Sequence, residues 1–317
     1  MISDPRILGK TGIEVSRLCF GTLTMGPLQR NMSVESGAKL INFALDKGIN
    51  FFDTAEIYRN YDYLKEGLKG RREKAVISTK SYAYDKMGAE KSLAKALKEI
   101  GTDYIDIFLL HEQESEHTLR GHQEAVEYFL KAKEKGFIRA FGISTHCVDG
   151  VKGAIKHNEI EIIHPIINYA GLGILGGSKE DMLQQMKLAG SMGKGIFAMK
   201  VLGGGNLIKD YYKAIKFAKE LDCADSIAIG MQSKEEITAN LQYFSEGKID
   251  EEISKKLSQT NRKLFIEGHC TGCGKCLKRC SYGALTIVNG KAIVRYDKCV
   301  TCGYCAGVCP DFCIKVV

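Results

Sequence analysis

Eight cysteines near the end of the chain are the residues whose spacing indicates chemistry most directly. Two runs repeat one pattern, with cysteines at 270, 273, 276 and 280 and again at 299, 302, 305 and 309. Three closely spaced thiolates can hold one face of a cubane 4Fe-4S cluster, and the fourth cysteine of each run then ligates the other cluster. We therefore expect one cluster on Cys270, Cys273, Cys276 and Cys309, and a second on Cys299, Cys302, Cys305 and Cys280.

A pair of zinc sites is the alternative for this segment, because paired CxxC motifs also build tetrahedral thiolate cages. The repeated three-plus-one spacing favours iron and sulfur, although Ser281 stands where a proline usually follows the fourth cysteine. The segment resembles a bacterial-type ferredoxin module. Cys313, four residues after Cys309, is expected to be a buried free thiol.

Four polar side chains follow apolar runs in the first half of the chain. Asp53 ends INFFD, Tyr58 lies five residues further on, Lys80 follows AVIST, and His111 follows IDIFLL. Each alone could be a helix cap or a structural polar residue. Together they become candidates for catalysis if the runs are strands of one sheet, since their side chains would then meet at one edge.

The elements that position these residues are eight short apolar runs alternating with amphipathic stretches, which is typical of a parallel sheet with crossover helices. The eight runs span 17–21, 49–53, 75–79, 105–110, 138–144, 161–168, 195–200 and 226–230. Eight such units predict an α/β fold of the (β/α)8 TIM barrel type, whose chemistry collects at the carboxyl ends of the strands.

Three segments are predicted along the chain. Residues 1–249 form the barrel, 250–268 a charged helical connector, and 269–317 a small α+β ferredoxin-like iron-sulfur domain. Within that domain, two β-like runs at 284–288 and 292–296 are joined through Asn289 and Gly290, which is a strong hairpin signal.

The barrel resembles the aldo-keto reductase family in GTLTMG, DTAEIY and the His after IDIFLL. The resemblance implies that Asp53, Tyr58, Lys80 and His111 form a catalytic tetrad. A carbonyl that accepts hydride develops alkoxide charge, which a proton donor must neutralise. Tyr58 is the expected donor, with Lys80, held by Asp53, making its proton more available, and His111 orienting the carbonyl or sharing the proton.

The resemblance also implies a nicotinamide cofactor, NADH or NADPH, across the barrel mouth. Ser144 and Asn168 occupy the positions that hold the carboxamide in such barrels, although Thr145 replaces the usual Asn. Asn240 matches an adenine contact, and Glu236 stands where an Arg often meets the ribose phosphate. A carboxylate there would repel a 2′-phosphate, which favours NADH or no nicotinamide.

A glycine run after the seventh strand is a further candidate for the cofactor. Gly203 and Gly204 could let backbone amides approach a pyrophosphate, although a glycine triplet is equally compatible with a flexible loop.

Composition narrows the setting of the protein. The 317 residues carry a formal net charge of +7, which two clusters with their thiolates would reduce to roughly +3. We therefore expect no nucleic-acid partner. The chain has no apolar run of 18 or more residues and starts without the regions of a signal peptide, so a cytoplasmic protein without membrane contact is expected.

Three functions remain open from the sequence. The first is a carbonyl/alcohol oxidoreductase using NAD(P)H, whose clusters exchange electrons with a ferredoxin or another redox protein. The second is a nicotinamide-independent reductase fed by ferredoxin through the clusters. The third is a non-catalytic redox binding module. Nicotinamide moves two electrons as hydride and clusters move one, and no flavin signature bridges the two in the sequence.

Overall fold

The structure, a computed structural model, describes residues 5–317 and begins with a short antiparallel pair, β1 (Arg6–Ile7) and β2 (Glu14–Val15). Between them, Gly9 has a positive φ of 51° and packs against the backbone of residues 193–195. A Cβ at Gly9 would lie 2.3 Å from the nitrogen of Gly195. The pair therefore covers the amino-terminal end of the barrel, a feature that the sequence did not predict.

Eight parallel strands then close into a barrel, which confirms the predicted fold. They are β3 (Leu18–Gly21), β4 (Phe51–Asp53), β5 (Val76–Ser81), β6 (Ile105–Leu110), β7 (Ile138–Thr145), β8 (Ile162–Pro165), β9 (Gly195–Ala198) and β10 (Ser226–Gly230). Strand β10 pairs with β3 to complete the ring. The strands are apolar on both faces because helices cover the outside, where Phe108 stacks on the helical residue Phe129 at 4.4 Å, and side chains such as Phe51 and Phe197, with ring centroids 4.9 Å apart, fill the inside.

Helices follow the strands around the barrel. They are α1 (Val34–Asp46), α2 (Tyr61–Gly67), α3 (Lys86–Ile100), α4 (Glu116–Gly121), α5 (Gln123–Glu134), α6 (Val148–Ile155), α7 (Lys179–Ser191), α8 (Tyr211–Lys219) and α9 (Lys234–Glu246). Ser33, Asp85 and Ser233 cap α1, α3 and α9 by accepting hydrogen bonds from backbone amides of the first turn. Across residues 5–317, no helix has both the length and the apolar character that a membrane span requires.

The C-terminal module contains α10 (Glu251–Ser258), β11 (Leu264–Ile266), α11 (Lys275–Arg279), β12 (Leu285–Val288), β13 (Lys291–Val294) and β14 (Ile314–Val316). The hairpin β12–β13 turns at Asn289 and Gly290, both with positive φ, as the sequence predicted. Strand β11 lies inside the predicted connector yet pairs with β14, so the pairing of the module begins at Leu264 and not at His269.

The module lies directly on the carboxyl-terminal mouth of the barrel. Phe312, just before β14, is only 4% exposed and belongs to the hydrophobic core of the barrel. The backbone amide of Val316 donates to the carbonyl of Gly204 at 3.0 Å, and the Asn206 side chain donates to the carbonyl of Ile314 at 2.8 Å. The two parts of the chain therefore share a buried boundary.

Candidate active site and cluster sites

A buried ion pair lies at the carboxyl end of neighbouring strands. The Lys80 ammonium donates to both carboxylate oxygens of Asp53 and to the carbonyl of Thr54, each at 2.7 Å. Both side chains are almost fully enclosed. Although burial acts to raise the pKa of Asp53, the charges of Lys80 and His164 outweigh it and lower this pKa to about 2. Asp53 is therefore ionised at neutral pH.

Tyr58 reaches this pair from the loop after β4. A buried network fixes that loop: Thr54 donates to the side-chain oxygen of Asn60 at 2.7 Å, and Asn60 donates to the carbonyl of Thr22 at 3.0 Å. The Tyr58 ring centroid lies 5.3 Å from the Lys80 ammonium. Burial, with Asp53 next, raises the pKa of Tyr58 well above its usual value, so the phenol keeps its proton.

His111 is the fourth of the candidate catalytic residues named from the sequence. Its ring centroid lies 6.0 Å from that of Tyr58 and stacks on Tyr82 at 4.4 Å. Burial, with the Lys80 charge next, lowers the pKa of His111 well below its usual range, so the imidazole is neutral. Its Nδ1 atom is buried and has no hydrogen-bond partner within residues 5–317.

His164 is a member of this site that the sequence analysis missed. It lies inside the barrel on β8, with Nε2 3.6 Å from a carboxylate oxygen of Asp53 and Nδ1 2.5 Å from the carbonyl of Phe197. Its only signal in the sequence is a polar residue within an apolar strand. Because it contacts Asp53, His164 helps to hold the carboxylate that holds Lys80.

A cavity of about 650 Å³ opens from this group across the barrel mouth. Asp53, Tyr58 and His164 line one end, and Asn240 and Arg262 line the other. Between them lie Lys200, Gly204 and, from the C-terminal module, Thr301 and Lys315. Residues of the barrel, the connector and the module all line this one cavity.

Two residues expected to hold the nicotinamide carboxamide are engaged with the protein itself. The Ser144 hydroxyl accepts from the amide of Glu112 at 3.0 Å. The Asn168 side chain exchanges two hydrogen bonds with the backbone of Leu172, each at 2.9 Å. Both are fully buried, and neither is among the residues that line the cavity.

The glycine run after β9 packs tightly against the module and is not a free loop. Gly204 lines the cavity, but its carbonyl accepts from Val316, and a Cβ on it would lie 2.7 Å from the Lys315 side chain. A Cβ on Gly205 would lie 1.9 Å from the carbonyl oxygen of Val316. Gly203 packs on Leu207 and Leu172. The close approach of β14 therefore explains these glycines.

The part of the cavity near Asn240 differs from the sequence expectation. Asn240 does line it, and the Asn240 side-chain oxygen accepts from Tyr211 at 2.8 Å. Glu236 pairs with Arg262 of the connector at 2.6 Å and accepts from the amide of Gln232. Because Arg262 neutralises Glu236, the expected repulsion of a 2′-phosphate loses its basis.

The cysteines gather in two places, as the spacing predicted. Cys270, Cys273, Cys276 and Cys309 line one cavity, together with Cys313, which is 1% exposed. The other four line a second cavity, Cys280, Cys299, Cys302 and Cys305. The backbone amide of Ala292 donates to the Cys270 sulfur at 3.4 Å, and that of Ala284 donates to the Cys280 sulfur at 3.3 Å. The four thiols expected for each cluster fit a cubane cluster, whose sulfur ligands favour such amide donors, and Cys313 is a fifth thiol at the first cavity, with its sulfur 3.3 Å from that of Cys309.

Comparison with known families assigns both parts of the chain. Residues 17–222 match the model of the aldo/keto reductase family. The chain belongs to the aldo/keto reductase family. Residues 262–310 match the model of the 4Fe-4S dicluster domain, which confirms an iron-sulfur module and disfavours the zinc alternative.

Individual relatives cover less of the molecule than the family models. The chain is 28% identical over 174 residues to YqkF, an uncharacterised oxidoreductase of Bacillus subtilis, covering 49% of this chain and 53% of YqkF. It is 27% identical over 214 residues to L-galactose dehydrogenase of Arabidopsis thaliana, and this match covers 64% of this chain and 66% of that dehydrogenase. The chain thus spans only about half to two thirds of these curated relatives.

The fold itself matches solved structures of the family. An aldo-keto reductase of Bombyx mori, in complex with NADP, superimposes with a TM-score of 0.61 at 16% identity, covering 82% of this chain and 93% of that one. At this identity the likeness supports the barrel alone.

Proposed function

We propose that the protein is an oxidoreductase that interconverts a small carbonyl compound and its alcohol at the Tyr58 end of the cavity, with two 4Fe-4S clusters in the C-terminal module. The observation that carries this proposal is the convergence of Tyr58, His111 and the Asp53–Lys80 pair at the strand ends, where Tyr58 and Asp53 line the cavity and His111 and Lys80 lie behind them. No other group of residues in the described chain combines a protonated phenol with a buried ammonium.

Tyr58 is the proton donor in this proposal. Its raised pKa keeps the proton on the phenol until charge develops on the substrate oxygen. The Lys80 ammonium, 5.3 Å from the ring centroid, then stabilises the phenolate that remains. Neutral His111 can orient the carbonyl without adding a competing charge.

NAD(P)H would supply the hydride, and residues at both ends of the cavity fit parts of it. Asn240 and Arg262 line the end that would hold adenosine, and Met199 and Lys200 line the region next to the tetrad. The eight cysteines of the two cavities would hold the clusters, which supply one-electron exchange.

Tyr58→Phe tests the catalytic part of the proposal. Removing the hydroxyl should lower kcat for carbonyl reduction by about 100-fold or more, because general acid catalysis contributes about 10²-fold to 10⁴-fold. Tyr82→Phe, which also borders His111 but donates to Glu112, is the matched control. Equal activity of Tyr58→Phe and wild type would overturn the assignment.

One observation favours the second function, a nicotinamide-independent reductase fed through the clusters. Phe312 of the module packs at the mouth between β7 and β9, with its ring 6.4 Å from that of His146 and 5.7 Å from the Lys200 ammonium. This part of the mouth lies beside Ser144 and Asn168, whose polar groups are already bonded. The substrate would then receive electrons from the clusters, with Tyr58 supplying only protons.

An anaerobic titration of cluster-loaded protein separates the two functions. NADH and NADPH are added in parallel while cofactor fluorescence and the visible absorbance of the clusters are followed. Binding by either supports the hydride enzyme, and bleaching shows coupling to the clusters. Failure of both to bind at millimolar concentration overturns the nicotinamide function and leaves the cluster-fed reductase or the non-catalytic redox binding module.

A further inference from the structure

The C-terminal module contains a strongly basic segment that includes the residues around the second cysteine cavity. Residues 275–304 carry six basic side chains and a single acidic one, Asp297. The six are Lys275, Lys278, Arg279, Lys291, Arg295 and Lys298. All seven side chains are exposed. This imbalance far exceeds that of the whole chain, which has 45 basic and 38 acidic residues.

Exposed aromatic side chains lie among these charges. Tyr282 is 54% exposed and Tyr304 is 65% exposed, and both line the second cysteine cavity. The Arg279 guanidinium lies over the Tyr304 ring at 5.3 Å. We call the surface formed by Lys278, Arg279, Tyr282, Lys298 and Tyr304 the basic face. Arginine and tyrosine at the centre of a charged rim are the composition of protein interfaces.

The barrel extends the basic face. Lys209 is exposed and its ammonium donates to the carbonyl of Val300 at 3.1 Å, beside the second cavity. Val300 itself is 45% exposed. A protein that docks here would therefore meet positive charge from both the module and the barrel.

The first cysteine cavity has charges of both signs around it: Lys275 and Lys291 adjoin its lining residues Gly274 and Ala292, and the Lys291 ammonium donates to the carbonyl of Gly268. Asp311 lines it and accepts a hydrogen bond from Thr271 at 2.8 Å. Among the described residues that line this cavity there is no lysine or arginine. The second cavity, by contrast, is lined by Arg279 and, among the described residues, by no aspartate or glutamate, so an acidic protein would be attracted to the second cavity.

The second cavity also borders the substrate cavity. Thr301, which lies between Val300 and Cys302, lines both cavities. Gly303 packs against the backbone of Asn206 in the barrel. The second cysteine set therefore lies between the basic face and the barrel mouth.

We propose that the basic face docks a small acidic one-electron carrier protein and that the cluster on Cys280, Cys299, Cys302 and Cys305 is its first electron acceptor. The reduced carrier gives up one electron, and the oxidised cluster gains it, passing from the 2+ to the 1+ state. No bond or proton is exchanged in this step. The proposal rests on the two cluster sites assigned under the proposed function.

Charge reversal on the basic face tests the docking. In cluster-loaded protein, Lys278→Glu/Arg279→Glu should slow bleaching of the clusters by a reduced acidic flavodoxin about 10-fold or more at low salt, since electrostatic steering changes association rates by about 10-fold to 10³-fold. The difference should shrink at high salt, where surface charges are screened. Lys98→Glu/Lys187→Glu, which reverses two exposed lysines on α3 and α7, is the matched control and should match wild type.

Photoreduced 5-deazariboflavin, a small uncharged reductant that needs no docking site, corrects for damage to the clusters. The measured quantity is the rate with flavodoxin divided by the rate with deazariboflavin, and Lys278→Gln/Arg279→Gln should give an intermediate ratio. Equal ratios and equal salt dependence for the reversed variant, its control and wild type would overturn the basic face as the docking site. Because this readout involves neither NAD(P)H nor Tyr58, it fails independently of the proposed carbonyl chemistry.

Discussion

Lys80 and Asp53 illustrate how much a single enclosed pair determines at the scale of residues. Lys80 is 1% exposed, and its three hydrogen-bond acceptors are two carboxylate oxygens and one carbonyl. Burial lowers the pKa of Lys80, while the charge of Asp53 opposes that shift. Each charge is tolerated inside the barrel because the other is present.

Breaking this pair should therefore destabilise the barrel. Lys80→Met leaves the Asp53 carboxylate buried without its cation, which should lower the free energy of unfolding by about 3 to 5 kcal/mol. Urea unfolding under anaerobic conditions measures the change. The double variant Asp53→Leu/Lys80→Met removes both charges and should recover most of the loss; a double variant no more stable than Lys80→Met would contradict the argument.

The sequence predicted that Asp53, Lys80 and His111 lie close together because each ends or directly follows an apolar run that becomes a strand, and parallel strands bring their ends together. It did not predict the contact of His164 with Asp53, because His164 is only a polar residue within the otherwise apolar strand β8. It also did not predict the ion pair between Arg262 and Glu236. The latter contact joins residues 26 positions apart across a helix and a loop. No local pattern specifies such a contact, so the sequence could not show that Arg262 offsets the charge of Glu236.

Strand β14 is the element on which the joining of barrel and module depends. It pairs with β11 on one side and bonds the glycine run of the barrel on the other. The sequence indicated a glycine-rich loop there but not its partner, since the partner lies more than a hundred residues away along the chain.

Gly205→Ala should weaken the contact between β14 and the glycine run by more than the strain of its left-handed backbone alone would. Gly205 has φ of 84°, and an added Cβ would lie 1.9 Å from the Val316 carbonyl oxygen. Gly136, with φ of 81° and no atom within 4 Å of an added Cβ, is the matched control. Gly136→Ala should cost about 1 to 2 kcal/mol from the left-handed backbone. Gly205→Ala should cost clearly more and raise hydrogen exchange in β14; equal losses would refute the steric argument.

Lys315 on the same strand should make stability depend on pH. Burial, with the Lys200 charge next, lowers its pKa from 10.5 to about 7. Between these values the unfolded chain binds more protons than the folded one, so stability should rise as pH increases from 7 towards 10.5.

Lys315→Met should remove that dependence and stabilise the protein at pH 7. Anaerobic thermal melting between pH 7 and pH 9.5 measures both effects, with Lys291→Met, an exposed lysine of β13, as control. A variant whose melting temperature rises with pH as steeply as wild type would count against a buried ammonium.

At the scale of the whole molecule, the sequence predicted a barrel and a cluster module but treated them as joined by a connector. In the structure, Phe312 lies in the barrel core and Lys315 in the barrel cavity. Composition and periodicity report which segments are buried, and they do not report which of two cores a buried residue joins.

Removal of iron should therefore raise amide hydrogen exchange in part of the barrel. Chelation under oxidising conditions would release the cysteines and loosen β14, so amide hydrogen exchange should rise at residues 200–206, which contact it. Residues 193–195, which pack against the amino-terminal pair at the far end of the barrel, serve as the internal control. Unchanged exchange at residues 200–206 would mean that the module folds without the clusters.

The pairing of β11 with β14 brings the entry and exit of the module side by side. The backbone amides of Lys263 and Val317 each donate to the other's carbonyl, at 2.8 and 2.9 Å. The segment between these strands thus starts and ends at one double-stranded stem, and it contacts the barrel besides through Val300, Gly303 and Phe312. Evolution or protein engineering could therefore replace the cysteine-bearing segment with another redox domain. The replacement would have to keep the pairing of β11 with β14 and the packing of Phe312 in the barrel core.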